Sequence, residues 1–173
     1  EVMMARLDRL DEASHRTAQV AAVVGRLVLY DVPAHILPHE SEQLPASLVR
    51  LQQHEIIQEQ QRLPELVYSF RHGMIQQVCY DSLLAHIRRA YHCEIAEYLE
   101  KSRSVGRRET ENYYALIAHH AYAGQDWPRA LRYQVLAGQQ SQRAFANQEA
   151  IDHFTRALQS AGYLPHEATR AQR

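Results

Sequence analysis

The stretch Ile56-Ile57-Gln58-Glu59-Gln60-Gln61-Arg62-Leu63-Pro64-Glu65-Leu66-Val67-Tyr68-Ser69-Phe70 changes the period of the chain. On both sides of it apolar residues recur at three and four. Within it they read as a strand at 56–60, a turn at 62–65 and a second strand at 67–70. A hairpin this short holds only when it packs on helices, so the flanking segments decide what it belongs to.

Toward the N-terminus, Pro45 occupies a position favoured at a helix start, and Leu48, Leu51 and Ile56 follow near helical spacing. Asp31 to His39 carries Pro33 and Pro38, which predicts a turn and at most one or two helical turns. A helix over 12–24 sets Ala18, Ala21 and Ala22, with Val20 and Val24, on its apolar side. Gly25 stops it in the left-handed C-cap conformation. Helices followed by a small hairpin outline a winged-helix module, expected over 1–82.

Toward the C-terminus, Met74, Ile75 and Val78 form one short face, and Asp81-Ser82 offers caps for the next helix. That helix, 83–101, repeats Leu83, Leu84, Ile87, Tyr91, Ile95, Tyr98 and Leu99 at three and four, with Arg88, Arg89, Glu94 and Glu97 elsewhere. A polar linker at 102–110 carries Gly106 and the arginines Arg103, Arg107 and Arg108, and reads as a hydrated connector. Residues 83–110 are thus a connecting helix and linker.

Helices at 112–123, 127–145 and 148–161 close the chain, with Gly124-Gln125-Asp126 breaking the first from the second and Pro128 in a first turn. Ala130, Tyr133 and Ala137 are echoed by Ala150, Phe154 and Ala157. Small residues two turns apart with an aromatic between them let helices approach closely. The echoes are twenty residues apart rather than the ~34 of a regular tetratricopeptide repeat, so 111–173 reads as degenerate repeats of that kind. The expected fold class is mainly α: a winged-helix module with a small β-hairpin, followed by tetratricopeptide-like α-hairpins.

Composition narrows the function. Of 173 residues, 46% are hydrophobic and 23% charged, enough for a core, while a net charge of −1 argues against coating nucleic acid or an anionic membrane. The helix that would enter a DNA groove carries only Arg50, with Glu40 and Glu42 just ahead, so a transcription regulator is the weakest reading. Ala18 to Val24 falls far short of the ~20 apolar residues that span a bilayer. Cys79 and Cys93 make no disulfide framework and fit a reducing cytoplasm.

Lys101 is the only lysine among nineteen basic residues and follows no glycine, so the chain lacks a phosphate-binding loop of its own. No Gly-x-Ser-x-Gly elbow exposes a serine, and the pairs Asp8/Asp11 and Glu94/Glu97 read as solvated faces. Among eleven histidines, His35 and His39 are interrupted by Pro38, His86 and His92 differ by six, and adjacent His119 and His120 diverge on a helix. Structural or surface roles are expected for them, with no metal and no catalytic group. The chain begins without methionine and stops in a charged, helix-like tail at 168–173, and is expected to be a piece of a longer protein.

The run Tyr68-Ser69-Phe70-Arg71-His72-Gly73-Met74-Ile75-Gln76-Gln77-Val78-Cys79-Tyr80-Asp81-Ser82-Leu83-Leu84 closely resembles the segment Y-x-F-R-H-x-L-I-Q-E-V-A-Y-x-S-L-L of bacterial signal-transduction ATPases with numerous domains. Arg88-Arg89-x-Tyr91-His92-x-x-Ile95-Ala96-x-x-Leu99-Glu100 resembles the arginine-rich helix that continues it. Val20-Ala21-Ala22-Val23-Val24-Gly25-Arg26 is similar to the helix that opens the family's winged-helix arm, and Ala118-His119-His120 through Ala123-Gly124-x-Asp126-Trp127 to its first repeat helices.

The resemblance implies a switch. An AAA-like core elsewhere in the parent protein binds ATP or ADP with Mg, the arm packs on the nucleotide at rest, and the helical array senses a protein partner. Many members with this central run resemble adenylate/guanylate cyclases, with a class III cyclase domain ahead of the ATPase. In related apoptotic and plant-resistance ATPases a Met-His-Asp step contacts the β-phosphate. Here that place reads Phe70-Arg71-His72, so the implied nucleotide sensors are Arg71 and His72. The alternative is that Arg71 pairs with a surface carboxylate while Phe70 and Tyr68 anchor the hairpin. A peptide-binding adaptor built on 118–161 is the second functional reading.

Overall fold

Asp11 caps the helix α1 (Glu12–Val24) by accepting a hydrogen bond from Ser14 N on Oδ1 at 2.8 Å. This computed structural model describes residues 6–62, 65–104 and 113–165. Turn residues 63–64, Gly106, Arg107, Arg108, the Arg103 side chain and the tail 168–173 lie outside them. The chain divides into two compact units between Tyr91 and His92, each described by itself. Among the described residues it is mainly helical, with one small three-stranded antiparallel sheet.

In the first unit α1 buries Ala18 and every residue from Val20 to Val24. Gly25 ends it at φ 125° and ψ −156°. That is an extended mirror region, not the left-handed helical cap expected from sequence, and it is open to glycine and little else. Strand β1 (Leu27–Leu29), helix α2 (Asp31–Ile36), a 3-10 turn at Pro38–Glu40 and helix α3 (Leu44–Gln53) follow. Strands β2 (Ile57–Gln61) and β3 (Val67–Phe70) and helix α4 (Gly73–Asp81) complete the order.

The sheet order is β1-β3-β2, with Val28 opposite Tyr68 on one side and Ile57 opposite Phe70 on the other. β3 is therefore central, which is why Tyr68, Ser69 and Phe70 are all buried. β1 escapes sequence periodicity because three residues are too few to show a period. Helix α1 packs on α3 and α4. Val20, Leu44, Leu48, Leu51, Ile56, Ile57 and Ile75 form the aliphatic core.

Two local expectations are corrected. On α4 the inward residues are Ile75 and Cys79, while Met74 is 66% exposed, because four-residue spacing from Ile75 sets the buried edge. Asp81 and Ser82 do not cap the next helix. Ser82 donates to the Cys79 carbonyl, Asp81 accepts from Gln77 and Arg88, and helix α5 (Ala85–Ser104) starts three residues later.

The second unit takes α5 from His92 onward and adds α6 (Tyr113–Ala123), α7 (Trp127–Arg143) and α8 (Asn147–Gly162). α7 packs on both α6 and α8. Both inter-helix turns have one construction. Gln125 and Phe145 take left-handed φ values of 62° and 60°. Their N–H groups bond three residues back, to Tyr122 and Gln142, and the next N–H groups bond five back, from Asp126 to Ala121 and from Ala146 to Ser141. These bonds satisfy the orphan carbonyls of a helix end. The turn after α3, with Glu55 at φ 56°, repeats the same pattern.

Candidate functional site

Three places gather chemistry: the exit of β3, a groove among α6, α7 and α8, and a histidine cluster between α5 and α6. At the first, the Arg71 N–H donates to the Ile56 carbonyl at 3.0 Å, prolonging the ladder one residue past β3. The neighbouring Phe70 is buried, so the Arg71 and His72 side chains leave the sheet into solvent.

Glu55 meets Arg71 there, with Oε1 3.3 Å from Arg71 Nη1, while its Oε2 lies 3.0 Å from Arg6 Nη2. The left-handed turn after α3 puts that carboxylate between the two guanidinium groups. His72 stands at the N-cap of α4 without using its ring as a cap, and its carbonyl accepts from Ile75 and Gln76. Of the two sequence readings of Arg71, the surface-carboxylate pair is thus present in this structure, and Tyr68 and Phe70 are both buried. Arg50, the one cation of α3, is ion-paired with Asp11, which weakens that helix further as a phosphate-binding surface.

The second place is a groove of about 360 Å³ whose walls include Ala115, Gln140, Arg143, Glu149 and His153. Of the echoed residues Ala137 lines it; Ala130, Tyr133, Ala137, Ala150 and Ala157 are buried, and Phe154 is partly so. The Phe154 ring lies where a Cβ on Gly138 would come within 2.7 Å of it, so glycine is what lets α7 and α8 meet there. His153 Nδ1 is 2.7 Å from Gln134 Oε1 across the same contact. Burial, and then the charge of Arg156, hold His153 below the usual imidazole range. On the α5 side of α7, Glu100 accepts from Arg129 and from the Tyr133 hydroxyl, each at 2.9 Å.

The third place went unread in sequence. His92 from α5 meets His119 and His120 from α6, with the Nδ1 atoms of His92 and His120 2.9 Å apart and both rings buried. Sequence spacing pairs His92 with His86, whereas the fold pairs it with a ring twenty-eight positions away. The adjacent histidines do diverge along their helix, yet both rings lie against His92, at 5.9 and 5.1 Å between centroids. The cysteines offer no nucleophile: burial pushes the Cys79 thiol up to about 11 and raises Cys93 as well.

These features define a mainly helical chain whose chemistry is ion pairing at the surface and a largely buried cluster of imidazoles. No family model matches it, and no curated protein or solved structure matches it significantly.

Proposed function

We propose that the chain is the regulatory segment of a multidomain cytoplasmic signal-transduction ATPase, of the kind that accompanies a nucleotide cyclase, and that it has no catalysis of its own. Residues 1–82 serve as a winged-helix arm, 83–110 as connecting helix and linker, and 111–173 as the start of a tetratricopeptide-like array. The order α1-β1-α2-α3-β2-β3 with sheet order β1-β3-β2 supports the arm. Support for the array comes from the repeated turns twenty residues apart. The apolar stripe Ile151 and Leu158, exposed two turns apart on α8, adds to it as a surface for a following helix.

The observation that carries the switch is the exposed Arg71–Glu55 pair. An exposed ion pair contributes about 0–1 kcal/mol, whereas charge-assisted hydrogen bonds from the planar guanidinium to phosphate contribute roughly 1.5–3 kcal/mol each. Arg71 is therefore transferable: with ADP in the core, Arg71 and His72 face the β-phosphate. When the arm leaves, Arg71 returns to Glu55, which keeps Arg6 throughout. The two arrangements form a two-state element that nucleotide exchange biases.

The test is Arg71→Ala in the whole ATPase. ADP affinity should fall about tenfold, the loss of one such interaction, and basal activity should rise. Glu55→Gln, which frees Arg71, should tighten ADP. Unchanged ADP affinity and basal activity in Arg71→Ala would refute the sensor.

The groove favours a second reading, a peptide-binding adaptor, since Arg143, Gln140 and Glu149 offer donors and an acceptor along an open channel. It requires the 173-residue chain alone to bind a partner peptide, and Arg143→Glu to abolish that binding while Arg71→Ala leaves it intact.

A further inference from the structure

Three imidazoles carried by two helices converge in the second unit. The α5–α6 approach that brings them together is close: a Cβ on Gly124 would fall 2.6 Å from Cys93 Sγ, and the Cys93 thiol donates to the Gly124 carbonyl at 3.3 Å. One ligand nitrogen from each of His92, His119 and His120 lies within 4.8 Å of the other two. His92 and His120 are buried, while His119 reaches solvent.

We propose that these three residues form a binding site for a single late first-row divalent cation of the zinc type, with His119 as its solvent-side gate. Neutral imidazole is the favoured nitrogen ligand of such ions, and the absence of a carboxylate from the trio disfavours magnesium and calcium.

Metal–nitrogen bonds of about 2.0–2.1 Å put two ligand nitrogens roughly 3.3 Å apart on a tetrahedral ion. The His92–His120 separation of 2.9 Å opens by a few tenths of an ångström to meet this. The longer gap to His119 closes by rotation of the one ring that faces water. In the ion-free chain one of the two buried rings donates its Nδ1–H to the other. On binding, that ring keeps its proton at Nε2 instead, so both Nδ1 lone pairs face the ion and no proton is released. The fourth position is left to solvent, the arrangement of an open three-histidine site. Partial burial of the His119 ring, and then the charge of Arg156, oppose positive charge there.

The experiment uses the tag-free 173-residue chain, stripped with chelator and titrated with Co²⁺ followed by absorbance, then with Zn²⁺ against a chromogenic chelator. Expected is one equivalent of Zn²⁺ at about micromolar affinity or tighter, displacing Co²⁺ that shows tetrahedral visible bands. His119→Ala, an accessible position whose helix content is checked by circular dichroism, should weaken binding at least about tenfold. His39→Ala on the exposed 3-10 turn should change nothing, and Arg156→Gln should tighten binding. Absence of a saturable one-equivalent site, or equal affinity in His119→Ala and the unaltered chain, overturns the proposal. Neither result touches the nucleotide switch, which is read at Arg71.

Discussion

The two units solve the problem of stability differently. The first is built on large aliphatic side chains, and among the described residues its buried polar ones are the hydroxyls Ser14, Thr17, Ser47 and Ser69. Thr17 turns its hydroxyl to the Ala13 carbonyl, and Ser69 accepts from Gln60. The second packs Ala118, Ala121, Ala130, Ala137, Ala150 and Ala157 so that helix backbones approach, and buries His92, His120, Gln134 and Ser160 among them. One core depends on transfer of apolar area, the other on close contact and on polar groups buried between helices. There Gln134 pairs through Oε1 but leaves its buried Nε2 without a hydrogen bond among the described residues. The contrast teaches where each unit is vulnerable: the first to cavities, the second to added bulk, lost charge and acid.

The largest effect is expected from Leu51→Ala, which removes a fully buried side chain from the first core. It should lower stability by about 2–5 kcal/mol, read as the urea midpoint of far-ultraviolet circular dichroism. A loss below ~1 kcal/mol would mean that this core collapses around the void and would break the contrast.

Next is Gly138→Leu, which drives a branched side chain into the Phe154 ring and should cost about 1–3 kcal/mol. Trp127 reports on this unit, because it is the chain's only tryptophan and stacks on Tyr163 at 4.3 Å. Its fluorescence midpoint should shift. Gly138→Ala should be milder, since a gain of about 1 kcal/mol in helix propensity offsets the ring's displacement.

Glu100→Gln follows, at roughly 1–2 kcal/mol for a half-buried carboxylate shared by Arg129, Arg132 and Tyr133. Burial pushes the Glu100 carboxyl up, but the Arg129 and Tyr133 hydrogen bonds outweigh it and hold the group below its ordinary range. Its contribution is therefore present above the unfolded carboxyl range and is lost as pH falls toward the lower folded value. Glu100→Gln should flatten the acid limb of the Trp127 transition below about pH 4.5.

Phe145→Asn should raise stability by about 1 kcal/mol. The left-handed turn strains a bulky residue, and Phe145 is 86% exposed, so little burial is lost. An unchanged thermal midpoint would show that the turn relaxes without cost.

The mildest effect sharpens the comparison through His153. Its folded value lies below the unfolded one, so the unfolded chain takes up the proton first on acidification. Stability is full above about pH 6.5 and declines as pH drops through that value toward the folded one. His153→Gln should remove this part of the slope in Trp127-monitored melts between pH 7 and pH 5.

Helices were legible where the pattern ran long. The spans expected at 12–24, 112–123 and 148–161 lie within a residue of α1, α6 and α8 at each end, because ten or more residues sample the helical period several times. The end of α7 was harder, falling at Arg143 rather than the expected 145, where Phe145 takes the left-handed conformation without glycine. Gly124 drew attention to the right turn for a different reason, since its missing side chain serves the approach of α5. Nothing local marks β1 as a strand; pairing with β3 makes it one.

By itself the amino-acid order determined the helical class, the hairpin at 56–70 and the close-packing alanines, because these follow from periodicity and side-chain size along a few consecutive turns. Only tertiary structure decided that β3 lies between two strands, that Arg71 finds Glu55 and that His92 finds His119 and His120. Such contacts join residues far apart in the chain, and which of many compatible partners meet depends on how whole elements pack together.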